Sequence, residues 1–194
     1  MTASYERLAG AYDELMRDAD YVRRADFVER LLRRARREVH TVLDLACGTG
    51  TMTCLLTERG YELISVDASE DMLMQAREKA QGLRGVPPLF LHQTMTGLDL
   101  NDTVDAAVCC MDSLNYLTRP RDVRRAFERL RLFVSPGGAL VFDVHGRSKL
   151  EAMDDQVYLD EDEGVFCAWR TGFRGDVLDY CVDQIGRASC REKV

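Results

Sequence analysis

Hydrophobic and polar positions change rhythm three times along the chain. Residues 4–16 place Tyr5, Leu8, Ala9, Tyr12, Leu15 and Met16 at helical spacing, which predicts a first helix. Residues 20–38 predict a second. Tyr21, Val22, Ala25, Val28, Leu31, Leu32 and Ala35 share one face, and most of the seven arginines between 23 and 37 fall on the other. From residue 41 short apolar runs alternate with helical segments. The runs 41–46, 61–66, 88–92, 104–110 and 138–144 read as strands, and 51–59, 70–81 and 120–133 as helices. Glu70 and Asp71 suit the first turn of one helix, and Pro120 that of the next. Ser135-Pro136-Gly137-Gly138 predicts a turn before the last of these strands. The near-continuous run Ala106-Ala107-Val108-Cys109-Cys110 is what a parallel sheet covered on both faces requires.

After Leu150 the pattern becomes that of an antiparallel meander. Val157-Tyr158-Leu159, Val165 to Trp169 and Val177 to Val182 are separated by turn-forming residues. The acidic run Asp160 to Glu163 reads as a solvated hairpin tip, since adjacent acids on a strand point to opposite faces. The pattern therefore predicts an α/β fold. Its centre is a doubly wound, mostly parallel sheet, with N-terminal helices before it and a C-terminal meander after it.

Composition narrows this picture. The 194 residues, 46% hydrophobic and 30% charged, suffice for one domain with a sizeable core. A net charge of −7 argues against a nucleic-acid partner held through phosphates. No window offers the roughly 20 apolar residues of a membrane helix. The seven cysteines show no metal spacing, so free thiols in the cytoplasm are expected and no metal site. The arginine-rich face of residues 23–37 reads as a solvated helix face, with Glu29 and Glu38 interspersed. Residues 185–194, Ile185 to Val194, resemble the translation of a common sequencing-library adapter. Taken as an artefactual tail, they leave 23 Lys and Arg against 32 Asp and Glu, a net charge of −9.

The chemistry concentrates in Val42-Leu43-Asp44-Leu45-Ala46-Cys47-Gly48-Thr49-Gly50. A buried strand runs into a Gly-x-Gly turn and then a helix N-terminus, a cradle for a polar or anionic ligand. Asp67, 17 residues past Gly50 at the end of the next strand, stands where a ribose-binding carboxylate belongs. A Gly-x-Gly-x-x-Gly dinucleotide site would need glycine where Thr53 stands. Asp44, four residues before the first glycine, would repel a pyrophosphate and suits a ligand carrying an ammonium. An NAD(P)-binding oxidoreductase is therefore the weaker alternative.

These residues resemble the class I S-adenosylmethionine-dependent methyltransferases. Ala11-Tyr12-Asp13-Glu14-Leu15-Met16, Met111 to Leu117 and Phe142-Asp143-Val144-His145 resemble a group of small bacterial members, and the likeness runs from about Ala11 to Val182. The resemblance implies a Rossmann-like methyltransferase fold. Residues 1–40 would form a helical lid, 41–150 the cofactor-binding core and 151–184 a meander over the active site. It implies S-adenosyl-L-methionine as cofactor and a small-molecule acceptor. Asp44, Ala46, Cys47, Gly48, Thr49 and Gly50 would floor the methionine half, and Asp67 would accept both ribose hydroxyls. Ala68, Ser69 and Met72 would wall the adenine, and Thr94 and Met95 would close its edge. Tyr12 would cover the polar end, and Met111, Asp112 and Ser113 would add to the cofactor side.

Asn115, Tyr116 and His145 fall on the acceptor side. His145 would serve either as a base or as a residue shaping the pocket, and Asn115 either flanks the acceptor or caps the helix near Pro120. Thr94 departs from the family, which often has an acid there, and a hydroxyl accepts less well from an adenine amino group. The family's further helix and antiparallel strand pair have no counterpart here, so a truncated domain is expected. A non-catalytic module that keeps the cofactor site is the other alternative.

Overall fold

The computed structural model describes residues 12–162 and 165–186. The chain divides between Val144 and His145 into two compact units. In the first, α1 (Tyr12–Leu15) and α2 (Tyr21–Leu32) precede a β/α alternation. It runs β1 (Thr41–Leu45), α3 (Thr51–Glu58), β2 (Glu62–Asp67), α4 (Glu70–Lys79), β3 (Leu89–His92), β4 (Val104–Cys109), α5 (Pro120–Phe133) and β5 (Val134–Phe142). The residues predicted for the first helix before Tyr12 lie outside those described.

The five strands form one parallel sheet in the order β3-β2-β1-β4-β5. Leu43 faces Ile64 on one side and Ala107 on the other. Alternate residues enter different cores, as the two-residue strand period dictates. Val42, Ala106 and Val108 pack with Ala25, Val28 and Leu32 of α2 and Met52 and Leu56 of α3. Leu43, Leu45, Ala107 and Cys109 pack with Leu98, Leu114 and Leu130. All six residues of β4 are buried, so both faces of the sheet are covered, as the apolar run predicted. Strand order reverses between β1 and β4. In open α/β sheets the carboxyl ends at such a reversal flank the ligand crevice.

Two elements differ from expectation. The second helix stops at Leu32 instead of continuing to 38. Beyond it the Arg36 amide donates to the Gly137 carbonyl, and the Arg37 guanidinium lies 2.7 Å from Asp105. Bonds across the fold replace the last helical turns expected over 33–38. Asp105 also accepts from the amides of His40 and Thr41, which fixes the start of β1 to β4. Burial raises its carboxyl pKa, but these donors outweigh it and hold the group below the ordinary range.

The second difference is at residues 135–138, which form no separate turn before a strand. They are a bulge within β5, with Val134 opposite Val104 and then Ala139 opposite Ala106. Pro136 has no amide hydrogen to give the ladder, so the irregularity sits there.

The second unit holds α6 (Arg147–Ala152), which the hydrophobic pattern did not reveal. An antiparallel sheet follows, in the order β6 (Val157–Asp162), β7 (Val165–Arg174) and β8 (Val177–Gly186). This is the predicted meander. Ile185 and Gly186 pair with Phe166 and Val165, and residues 187–194 lie outside those described. Among the described residues no helix is long and apolar enough to cross a membrane.

Candidate functional site

At the carboxyl ends of β1 and β4 the backbone takes conformations that side chains disfavour. Ala46 (φ 62), Met111 (φ 61) and Asp112 (φ 51) are left-handed without being glycine. Such residues cost on the order of 1 kcal/mol each and gather where geometry serves function. They flank a cleft lined by Tyr12, Tyr21, Asp44, Ala46, Cys47, Gly48, Thr49, Thr51, Met52, Cys110, Met111 and Ser113.

Asp44 shares the face of Val42 and so points under α3, where it is only 2% exposed. Thr53 of α3 donates its hydroxyl to the Asp44 carboxylate at 2.6 Å and shares a hydrogen bond with Ser65 at 2.9 Å. Burial pushes the Asp44 carboxyl up to about 6, against the Thr53 hydrogen bond, and the nearby Asp67 adds to the rise. A buried carboxylate whose donors, the Thr53 hydroxyl and amide, are both neutral suits a cation as its partner.

Asp67 ends β2 beside the glycine turn. One of its oxygens accepts from the Gly48 amide at 2.8 Å and the other from the Ser69 amide at 2.9 Å. Burial raises its pKa, and the amides of Ser69 and Gly48 oppose the rise. A carboxylate offers about four acceptor sites, so beyond the amides of Ser69, Gly48 and Ala68 it can still accept from a ligand hydroxyl. A Cβ built on Gly48 meets no atom within 4 Å, so packing does not demand glycine there. The turn is open on its cleft side to a ligand lying close to the backbone.

The phenols nearby are held protonated. Tyr21 is pushed up to about 12 by burial and then by Asp13. Tyr12 is raised further, by burial and then by Tyr21, Tyr116 and Asp112. Burial likewise lifts the Cys110 thiol to about 12, so it is no nucleophile at neutral pH.

Eight sequence-predicted residues line the cleft: Tyr12, Asp44, Ala46, Cys47, Gly48, Thr49, Met111 and Ser113. Gly50 lies beneath them as the left-handed cap of α3. The remainder fall around the cleft. Ser69 caps α4 by accepting from the Met72 amide, and the Ala68 carbonyl lies 2.9 Å from His92 Nε2. Met72 is 3% exposed and belongs to the core, and Met95 packs against the core beneath β4. Thr94 caps a short 3-10 turn by accepting from the Gly97 amide at 3.0 Å.

Asp112, Asn115 and Tyr116 lie on and before the 3-10 helix Ser113–Tyr116. Asn115 is not the cap of α5. That position is Arg119, which makes no side-chain cap bond. His145 is half-buried and opens the second unit. Sequence reasoning missed Thr53, Tyr21, Thr51, Met52 and Cys110. The one available signal was Thr53, noted only as a missing glycine.

The fold and site together define a doubly wound α/β domain with two carboxylates beside a glycine turn at the carboxyl ends of its strands. The methyltransferase domain family matches residues 42–138, half of the chain. "Putative methyltransferase YqeM" of Bacillus subtilis (strain 168) is 38% identical over 183 residues, covering 92% of this chain and 71% of that protein. The chain belongs to the methyltransferase domain family. It is also 31% identical over 138 residues to the dTDP-3-amino-3,4,6-trideoxy-alpha-D-glucopyranose N,N-dimethyltransferase of Streptomyces venezuelae, covering 70% of this chain and 56% of the relative. A solved S-adenosylmethionine-dependent methyltransferase from Clostridium acetobutylicum ATCC 824 superposes with a TM-score of 0.76 at 28% identity. That match covers 94% of this chain and 80% of that one.

Proposed function

We propose that the chain transfers a methyl group from S-adenosylmethionine to a small-molecule acceptor. The observation that carries this is the pair of carboxylates on either side of the glycine turn, Asp44 buried on Thr53 and Asp67 bonded to the Gly48 amide. When bound, the cofactor supplies an electrophilic methyl on a sulfonium. The chain's own residues bind and orient it. Asp44 takes the ammonium, directly or through water, and Asp67 takes the two ribose hydroxyls. Ala46 to Gly50 lie under the methionine half. Ala68, Ser69 and Met72 flank the adenine, with Thr94 and Met95 at its edge, and Met111, Asp112 and Ser113 form the opposite wall. Tyr12 covers the polar end.

Asn115 and Tyr116 face the acceptor. His145 follows the carboxyl end of β5 in the chain, and its imidazole would take the proton of an amine or hydroxyl nucleophile. Two curated relatives support a small acceptor: the amino-sugar dimethyltransferase above and the glycine N-methyltransferase of Rattus norvegicus, 34% identical over 116 residues. The free thiols of Cys47, Cys54, Cys109, Cys110 and Cys181 suit a cytoplasmic setting.

Incubation with S-adenosylmethionine and a panel of amino sugars, amino acids and phenols tests the proposal. At least one acceptor is expected to raise S-adenosylhomocysteine release tenfold or more over the acceptor-free rate. Cofactor binding with no stimulation by any acceptor would favour the non-catalytic module.

A further inference from the structure

Asp44 and Ser65 are direct partners across β1 and β2, so their side chains leave the sheet on the same face. Helix α3 covers that face and brings Thr53 onto both. Thr53 Oγ1 lies 2.6 Å from Asp44 Oδ2 and 2.9 Å from Ser65 Oγ. All three residues are buried. The same strands and helix otherwise give this core apolar residues, Val42, Leu63, Met52 and Leu56. Apolar side chains of similar volume would serve stability as well as a carboxylate with two hydroxyls does.

The charge on Asp44 fixes the direction of the chain. An ionised carboxylate only accepts, so the single hydroxyl hydrogen of Thr53 is spent on Asp44. Thr53 then accepts from Ser65, and the order runs Ser65 to Thr53 to Asp44. In such a chain each bond strengthens the next. The Thr53 amide donates to Asp44 as well. Thr53 is the third residue of α3, so its amide has no carbonyl to meet within the helix, and Gly50 at the cap position has no side chain to offer. Both donors of one residue therefore grip the carboxylate, which also lines the cleft.

We propose that Thr53 and Ser65 are positioning residues for a cationic ligand group, their one-way hydroxyl chain holding the Asp44 carboxylate charged and in place at the cleft. The proposal rests on the methyltransferase reading for the ligand's identity, but not for the chain itself. The other titratable groups around Asp44 are Asp67 from β2, Tyr21 from α2, Cys47 in the turn, Cys54 in α3, and Cys109 and Cys110 at the end of β4. Burial holds the phenol and the thiols protonated, and Asp67 opposes the charge. None of them does what Thr53 does.

Thr53→Val, Thr53→Ser, Ser65→Ala and the double variant of Thr53→Val with Ser65→Ala test the proposal, at a temperature where thermal melts show each one folded. Without ligand, carbon-13 NMR of the Asp44 carboxyl is expected to show its midpoint rise by about one pH unit in Thr53→Val, since the lost bond favours the charged form. A smaller rise is expected in Ser65→Ala, no further rise in the double variant, and the wild-type midpoint in Thr53→Ser. Calorimetry at pH 7 is expected to show Thr53→Val binding S-adenosylhomocysteine about tenfold more weakly, but methylthioadenosine, which lacks the ammonium, within about twofold of wild type. A merely structural role would weaken both ligands alike.

An unmoved carboxyl midpoint, or a Thr53→Ser variant that behaves as Thr53→Val, would overturn the chain. Equal losses for the two ligands would overturn its positioning role. If Thr53→Val does not fold, Ser65→Ala gives the same readouts from the far end of the chain. Wild-type protein that binds neither ligand would overturn the methyltransferase reading, and the carboxyl titration would still decide the chain.

Discussion

Asp44→Asn is expected to make the ligand-free protein more stable at pH 8 while weakening S-adenosylhomocysteine binding roughly 10- to 100-fold, the cost of losing a hydrogen bond to a charged group. Burial is the main reason. The carboxyl is 2% exposed and titrates at about 6 in the folded chain, against about 4 when unfolded. Between those values the folded state holds the proton more firmly than the unfolded state. Stability is therefore greatest below pH 4 and falls as pH rises through 6. Above pH 6 the wild type bears the full cost, at most about 3 kcal/mol at roughly 1.4 kcal/mol per pKa unit.

Asparagine carries no charge and can still accept from Thr53, though its amide hydrogens need a new acceptor. A net gain of about 1–2 kcal/mol is expected, or a melting temperature higher by roughly 2–8 °C. The gap should narrow as pH is lowered towards 4 and close below it, where the wild-type carboxyl is neutral in both states. Thermal melts at pH 4 and 8, with calorimetric titration at pH 8, check both halves. A variant less stable than wild type at pH 8 would show that the buried charge is better satisfied than its bonds to Thr53 indicate.

Gly50→Ala is expected to destabilise the fold by about 3 kcal/mol, and Gly48→Ala by about 1. Both glycines have positive φ, +76 and +56, and the left-handed strain costs about 1–2 kcal/mol in each. They differ in space. A Cβ on Gly50 would lie 2.8 Å from Ala76 Cβ and 3.3 Å from Ala76 Cα, whereas one on Gly48 meets nothing within 4 Å. The Gly50 contact forces α3 and α4 apart, an overpacking cost of about 1–3 kcal/mol on top of the strain. Urea unfolding of the two variants separates these terms. Equal losses would mean that the α3–α4 approach is not what requires glycine at 50.

Gly50 also illustrates what the sequence could and could not reveal. Two glycines one residue apart after an apolar strand announced a turn, because that inference needs only local sterics. The alternation of β1 to β5 with α3 to α5 was legible for the same reason, and so was the meander. The fold class followed from it.

Contacts between distant residues were not legible. Thr53 is the partner of Asp44, yet it registered only as the absence of a third glycine, since nothing local shows that a helix residue nine positions on will turn under the strand. Nothing in the pattern singles out Lys79, whose ammonium meets Asp13, Thr49 and Thr51, residues 28 or more positions away. The left-handed Ala46 and Met111 carry no sequence mark, because alanine and methionine are not turn residues, whereas Asp112 is of a type that tolerates this conformation. Residues 135–138 announced an irregularity correctly, but whether it ends a strand or bulges within one depends on β4 alongside it.

The central claim is that Asp67 and the glycine turn form an S-adenosylmethionine site. Calorimetric titration with S-adenosylhomocysteine, beside NADH as control, tests it most directly in wild type and in Asp67→Asn. The account predicts one site on the wild type, no NADH binding, and an affinity at least tenfold weaker in Asp67→Asn at a temperature where a thermal melt shows the variant folded. Tight NADH binding without any S-adenosylhomocysteine response, or equal affinity in the two proteins, would contradict it.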